Sequence, residues 1–132
     1  MNDTLDVSGV WYGRWNADNR IVRPNRFIAH LVEGGGQFAG TTSEPDLSQR
    51  AGIILAFVEG ARAGAEIRFV KQYDGTGRLS HSVLYSGRIN GAGTEIHGTW
   101  RFSSYSGSFR MERERFAAGE LEIVEEVSEQ VP

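Results

Sequence analysis

The segment Gly9-Val10-Trp11-Tyr12-Gly13-Arg14-Trp15 is answered near the other end of the chain by Gly107-Ser108-Phe109-Arg110-Met111-Glu112-Arg113, and this pair constrains the fold more than any other feature. Side chains alternate across a strand, so Trp11, Gly13 and Trp15 share one face of the first segment, and Phe109, Met111 and Arg113 share one face of the second. A glycine, a spacer and a tryptophan in the first strand, met by an arginine on the last, form the closing arrangement of a small up-and-down β-barrel. Trp11 and Arg113 are therefore expected to close one end, the cation stacking on the indole for ~0.5–2 kcal/mol.

Between these ends the two-residue period recurs at regular spacing. After a first strand at about Val7 to Trp15, strands are predicted near Arg26 to Glu33, Gln37 to Ser43, Ala51 to Glu59, Ala65 to Tyr73, Leu79 to Ile89, Thr94 to Phe102 and Gly107 to Phe116. Gly34-Gly35-Gly36 and Asp74-Gly75-Thr76-Gly77 mark turns. Ser43 to Gln49 reads as a loop broken by Pro45. The fold class is thus all-β, an eight-stranded antiparallel up-and-down barrel at about residues 7–116 in a single domain spanning 1–132, with an acidic tail at 117–132. The strand from Ile53 to Val58 is apolar on both faces. Its outer face is expected to be covered by another subunit or by the tail, which makes a homo-oligomer, a homodimer in the simplest case, the expected state.

Composition removes several function classes. The net charge is −3 and the Lys and Arg residues are scattered, which argues against a nucleic-acid surface. Absence of cysteine rules out disulfides, thiolate metal sites and a cysteine nucleophile. No apolar run approaches the ~18 residues of a membrane span, and the polar, acidic start lacks a signal-peptide pattern, so a cytoplasmic protein without membrane partner is expected. The three histidines are far apart in sequence and no metal-ligand or Gly-x-Ser-x-Gly spacing occurs, so neither a metal, a cofactor nor a catalytic group is assigned.

The run Gly9 to Arg14, the hairpin Gly36-Gln37-Phe38-Ala39-Gly40-Thr41-Thr42-Ser43-Glu44, the triplet Tyr85-Ser86-Gly87 and the strand Glu95-Ile96-His97-Gly98-Thr99-Trp100 follow the order seen in avidin and streptavidin. Over about residues 7–116 the chain resembles that family, and more loosely the calycin group with its lipocalins. The resemblance implies the barrel, with Trp100 matching an aromatic wall of the family's pocket and Tyr85 standing where another tryptophan would be. It does not imply biotin, because the positions that would carry the family's polar ligand contacts are Gly13, Ala17 and Thr42. Losing hydrogen bonds to a buried polar ligand costs roughly 1–3 kcal/mol each.

Inward alternation nominates the candidate site. Lys71 and Tyr73 share a face with Ile67 and Phe69, and His81 shares one with Val83 and Tyr85. With Trp100 these form the expected ligand-binding set: Lys71, Tyr73, His81, Tyr85 and Trp100. An aromatic wall ending in a cation suits a largely apolar ligand with an anionic head. The expected function is a non-catalytic small-molecule-binding barrel. The alternatives are a homo-oligomeric interaction module with a solid core, and a calycin-like isomerase or cyclase using Tyr73, His81 or Tyr85. Lys71 also sits near a strand end, where a lysine can snorkel to water. Trp15 reads as a core filler.

Overall fold

The computed structural model describes residues 4–75 and 81–114. Eight strands, β1 (Gly9–Ala17), β2 (Asn25–Gly34), β3 (Gln37–Pro45), β4 (Ile53–Ala63), β5 (Glu66–Tyr73), β6 (Ser82–Ile89), β7 (Glu95–Phe102) and β8 (Tyr105–Glu112), form one closed antiparallel barrel. Each strand pairs with its sequence neighbours, and β1 closes on β8 with Gly13 opposite Met111 and Trp15 opposite Phe109. The expected all-β up-and-down barrel is thus the observed one. Among the described residues no helix is long and apolar enough to cross a membrane. The tail at 117–132 lies outside the described residues.

Several boundaries differ from the sequence reading. β3 continues through Glu44 to Pro45, where a loop had been expected from Ser43, because proline at the last strand position leaves the preceding ladder intact. β4 runs on to Ala63, and β8 begins at Tyr105 and ends at Glu112.

The barrel has two unlike ends. At one, the short connections 35–36, 64–65 and 90–94 join the strands, and the chain preceding β1 folds across the opening. Val7 and Trp11 are fully buried there, with the Trp11 indole N–H donating to the Val7 carbonyl at 2.9 Å. The Arg113 guanidinium lies 4.2 Å from the Trp11 ring centre and donates to the carbonyls of Asp6, Ser8 and Gly93. Gly9, at φ +131°, takes a conformation that side chains disfavour, and a Cβ there would face the Arg113 guanidinium at 3.6 Å.

Above this plug the interior is filled by Phe27, Phe38, Phe69, Tyr85 and Phe109. Phe69 stacks on Tyr85 at 4.6 Å, and Phe109 meets both edge-on. Such offset and edge-to-face pairs each add ~0.5–1.5 kcal/mol beyond the area they bury. The other end carries the longer connections 18–24 and 46–52, the β5–β6 connection and the turn 103–104, and there the filling stops.

Candidate functional site: a cup with a charged floor

At that end a cavity of about 630 Å³ opens to solvent. Its wall is aromatic: Trp15 from β1, Tyr73 from β5, His81 just before β6, Tyr85 from β6, and Trp100 and Phe102 from β7. Trp15 and Trp100 meet edge-on at 5.8 Å, and the His81 ring bridges Tyr73 and Phe102 at 4.8 and 4.3 Å. The size falls within the usual range for small-molecule pockets, ~300–1,000 Å³.

Four of the five residues expected to form a site, Tyr73, His81, Tyr85 and Trp100, line this one cavity. The fifth, Lys71, sits behind the wall at the floor. It is 1% exposed, so it does not snorkel to water. Its Nζ lies 2.8 Å from Glu44 Oε1, and the rings of Phe27, Tyr73 and Tyr85 surround it at 4.7, 4.9 and 5.8 Å. The inward face of β5 is responsible, because Lys71 alternates with buried Phe69 and Tyr73 and has no path to the surface.

Glu44 is the residue that sequence reasoning missed. The sequence pattern places it in a loop from Ser43, yet the alternation Phe38, Gly40, Thr42, Glu44 carries it inward as part of β3. Its Oε2 accepts from Asn25 Nδ2 at 3.0 Å and from the Trp15 indole N–H at 3.4 Å. Asn25 also donates to the Pro45 carbonyl at 2.9 Å, which pins the end of β3. Trp15 is therefore no core filler but half-buried wall that helps hold the carboxylate.

The floor is not fully satisfied. Lys71 and Glu44 form a close ion pair at 2.8 Å. Thr42 Oγ1 is buried with no hydrogen-bond partner among the described residues, while Glu44 Oε1 and Lys71 Nζ, equally buried, have each other as their polar contact. Buried polar atoms are nearly always paired, by protein, water or ligand, and of these three residues Glu44 is the one that lines the cavity.

Burial dominates the ionisation of this cluster. It lowers the Lys71 ammonium below its ordinary value, an effect the Glu44 charge opposes. Burial first, and then the Glu44 carboxylate, push the phenols of Tyr73 and Tyr85 far above their usual range. Both therefore remain neutral at physiological pH and serve as hydrogen-bond donors rather than as bases.

The positions that the avidin resemblance would fill with polar ligand contacts have other occupants. A Cβ at Gly13 would collide with the Phe27 ring, so that space belongs to the core. Thr42 is buried one inward position below Glu44. His30 and His97 lie on the exposed outer face. Among the described residues no group of three or more His, Asp or Glu side chains is arranged to hold a metal ion. Neither a protein-family model nor a curated protein matches the chain.

Proposed function

We propose that this protein is a non-catalytic binding barrel that holds a small, largely apolar molecule in the cup, and that the molecule is not biotin. The observation that carries the reading is the open aromatic cup of about 630 Å³, with the buried Glu44 carboxylate among its lining residues and Lys71 paired to it from behind. A barrel that needed only a core would be expected to close both ends, as it closes the Trp11–Arg113 end. Within this proposal the kinship is with the streptavidin-like and calycin barrels, with the polar contacts moved from Gly13 and Ala17 to the Lys71–Glu44 pair. The cysteine-free composition suits a cytoplasmic setting. Calorimetric titration with naphthol tests the reading. Saturable binding of one molecule per chain is expected, weakened by His81→Trp, which narrows the mouth. No saturable binding up to the solubility limit would refute it.

A second reading concerns the outer wall. Val10 and Tyr12 of β1, Ile28 and Val32 of β2, and Leu55 and Phe57 of β4 are exposed by 46–63%. Between them β3 presents only Ala39, Thr41 and Ser43. At ordinary strand spacing this face measures about 19 by 20 Å, a small patch beside the ~800 Å² that each partner contributes to a standard interface. Exposed Glu59 lies opposite Ala39 at one corner of this face and Arg14 pairs with Arg26 along its other edge, so a two-fold contact would centre on the uncharged Val10, Tyr12, Ile28, Thr41, Leu55 and Phe57. We therefore propose a homodimer through this wall, including the Ile53 to Val58 strand. Light scattering is expected to give twice the chain mass, and Phe57→Arg to return it to the monomer. A wild-type monomer at micromolar concentration would overturn this assignment.

A further inference from the structure

We infer that a second site lies on the outside of the barrel, a groove that holds the phosphate of a small aromatic phosphomonoester between Arg14 and Arg26. It is separate from the cup and does not rest on the binding function proposed above. The arginines are scattered along the sequence, and closure of the barrel gathers three of them. Arg110 lies opposite Arg14 across the β8–β1 seam, and Arg14 lies opposite Arg26 across β1 and β2, so three exposed guanidinium side chains leave adjacent strands at one level. Residues directly opposite stand ~4.5–5.5 Å apart, and like charges at that spacing repel. Arg110 is relieved by Glu95 at 3.1 Å and by Glu112 at 2.7 Å. Arg14 and Arg26 have no carboxylate partner among the described residues.

The same three arginines line a cavity of about 770 Å³, together with the exposed side chains of Tyr12, Ile28 and Ile53. Two uncompensated guanidinium groups side by side set the charge of the occupant. A carboxylate brings one negative charge and leaves half of the pair unmet. A phosphomonoester carries about −1.5 to −2 at pH 7, and its three terminal oxygens suit the planar N–H forks of two arginines. A longer polyanion is disfavoured. Beyond Arg110 the same level continues through His97 to Arg88, where Glu66 already pairs with Arg88 and Glu95 and Glu112 flank Arg110, so the uncompensated charge is confined to Arg14 and Arg26. Tyr12, Ile28 and Ile53 then take the planar body of the ester. The arginines lie at the level of Ile53, four residues along β4 from Phe57, so a two-fold contact centred on Thr41 and Phe57 leaves them at its rim.

The test is calorimetric titration of the full chain with naphthyl phosphate, naphthoate and inorganic phosphate, repeated on Arg14→Gln, Arg26→Gln and His81→Trp. Naphthyl phosphate is expected to bind wild type at least about tenfold more tightly than the other two, and each arginine variant to weaken it at least about tenfold, the scale of one charge-assisted contact. Raising sodium chloride from about 20 to about 200 mM is expected to weaken it several-fold, because exposed charges are screened. His81→Trp, which narrows the cup, leaves naphthyl phosphate affinity as it is, and both arginine variants leave naphthol affinity as it is. Unchanged affinity in both arginine variants overturns the groove, and so does loss of naphthyl phosphate binding in His81→Trp, which places the ester in the cup. Naphthoate or inorganic phosphate binding as tightly as the ester overturns the ligand class. If naphthyl phosphate binds as expected while naphthol does not, the groove stands and the cup reading falls; the converse result removes the groove and leaves the cup.

Discussion

Lys71 and Glu44 are the most deeply buried of the described ion pairs, their side chains 1% and 2% exposed against 8% and 5% for Arg62 and Glu33, and the energetics of such a pair differ from those of a surface bridge. Taking two charges out of water consumes most of what their attraction returns, so the intact pair adds little stability, while removing one partner strands the other. Glu44→Leu alone is expected to cost about 3–5 kcal/mol in urea unfolding, whereas Lys71→Met combined with Glu44→Leu recovers most of the loss. A single variant as stable as wild type would show that the pair is not buried. Alkaline pH probes the neighbouring phenols. In the unfolded chain Tyr73 and Tyr85 lose their protons near the ordinary value of 10.0, whereas in the folded barrel they keep them, so stability falls as pH rises past that point. Lys71 acts in the opposite sense. Its folded value lies below 10.5, so between the two the unfolded chain holds the extra proton and stability climbs with pH. Tyr73→Phe is expected to flatten the alkaline fall, and Lys71→Met to remove the rise before it. Both are read from the urea midpoint across the alkaline range.

Among the strands, the alternation in β1, β5, β6 and β8 could be read directly, and the inward sets Trp11, Ile67, Phe69, Tyr85, Phe109 and Met111 are buried as that period requires. β3 was harder. Pro45 is a breaker in most contexts, and only its position at the strand end lets Glu44 remain in the ladder. An acidic residue beside a proline carries no local sign that it points inward; its partner Lys71 is far away in sequence and becomes adjacent only when the barrel closes. The same holds for Trp15, whose wall position depends on the loops around the mouth. The β1–β8 closure, by contrast, was legible because both of its ends carry bulky, distinctive residues. Arg113 ties the chain before β1 to the β6–β7 connection through three backbone carbonyls as well as the Trp11 ring. Arg113→Ala is expected to destabilise the protein by about 2–4 kcal/mol, since hydrogen bonds to a charged donor contribute ~1.5–3 kcal/mol each and this one is partly solvated. Arg113→Lys restores only part of the loss, because an ammonium cannot reach three carbonyls from one plane. Thermal unfolding that leaves either variant unaffected would contradict the plug.

As a whole molecule the barrel is polarised: a sealed end built from Trp11, Val7 and Arg113, a solid aromatic middle, and an open cup walled by Trp15, Tyr73, His81, Tyr85 and Trp100 over a charged floor. The three tryptophans report on both ends, one at the plug and two at the cup. Their indole N–H groups are separately engaged, Trp11 with the Val7 carbonyl, Trp15 with Glu44 and Trp100 with the Asn16 carbonyl. Nuclear magnetic resonance of these three indole N–H signals during titration with naphthol is therefore the most direct test of where binding occurs. The Trp15 and Trp100 signals are expected to move together and saturate while that of Trp11 stays in place. Shifts of Trp11 as large as those of Trp15 and Trp100, or no shift in any of the three at saturating probe, would contradict a ligand held in the cup.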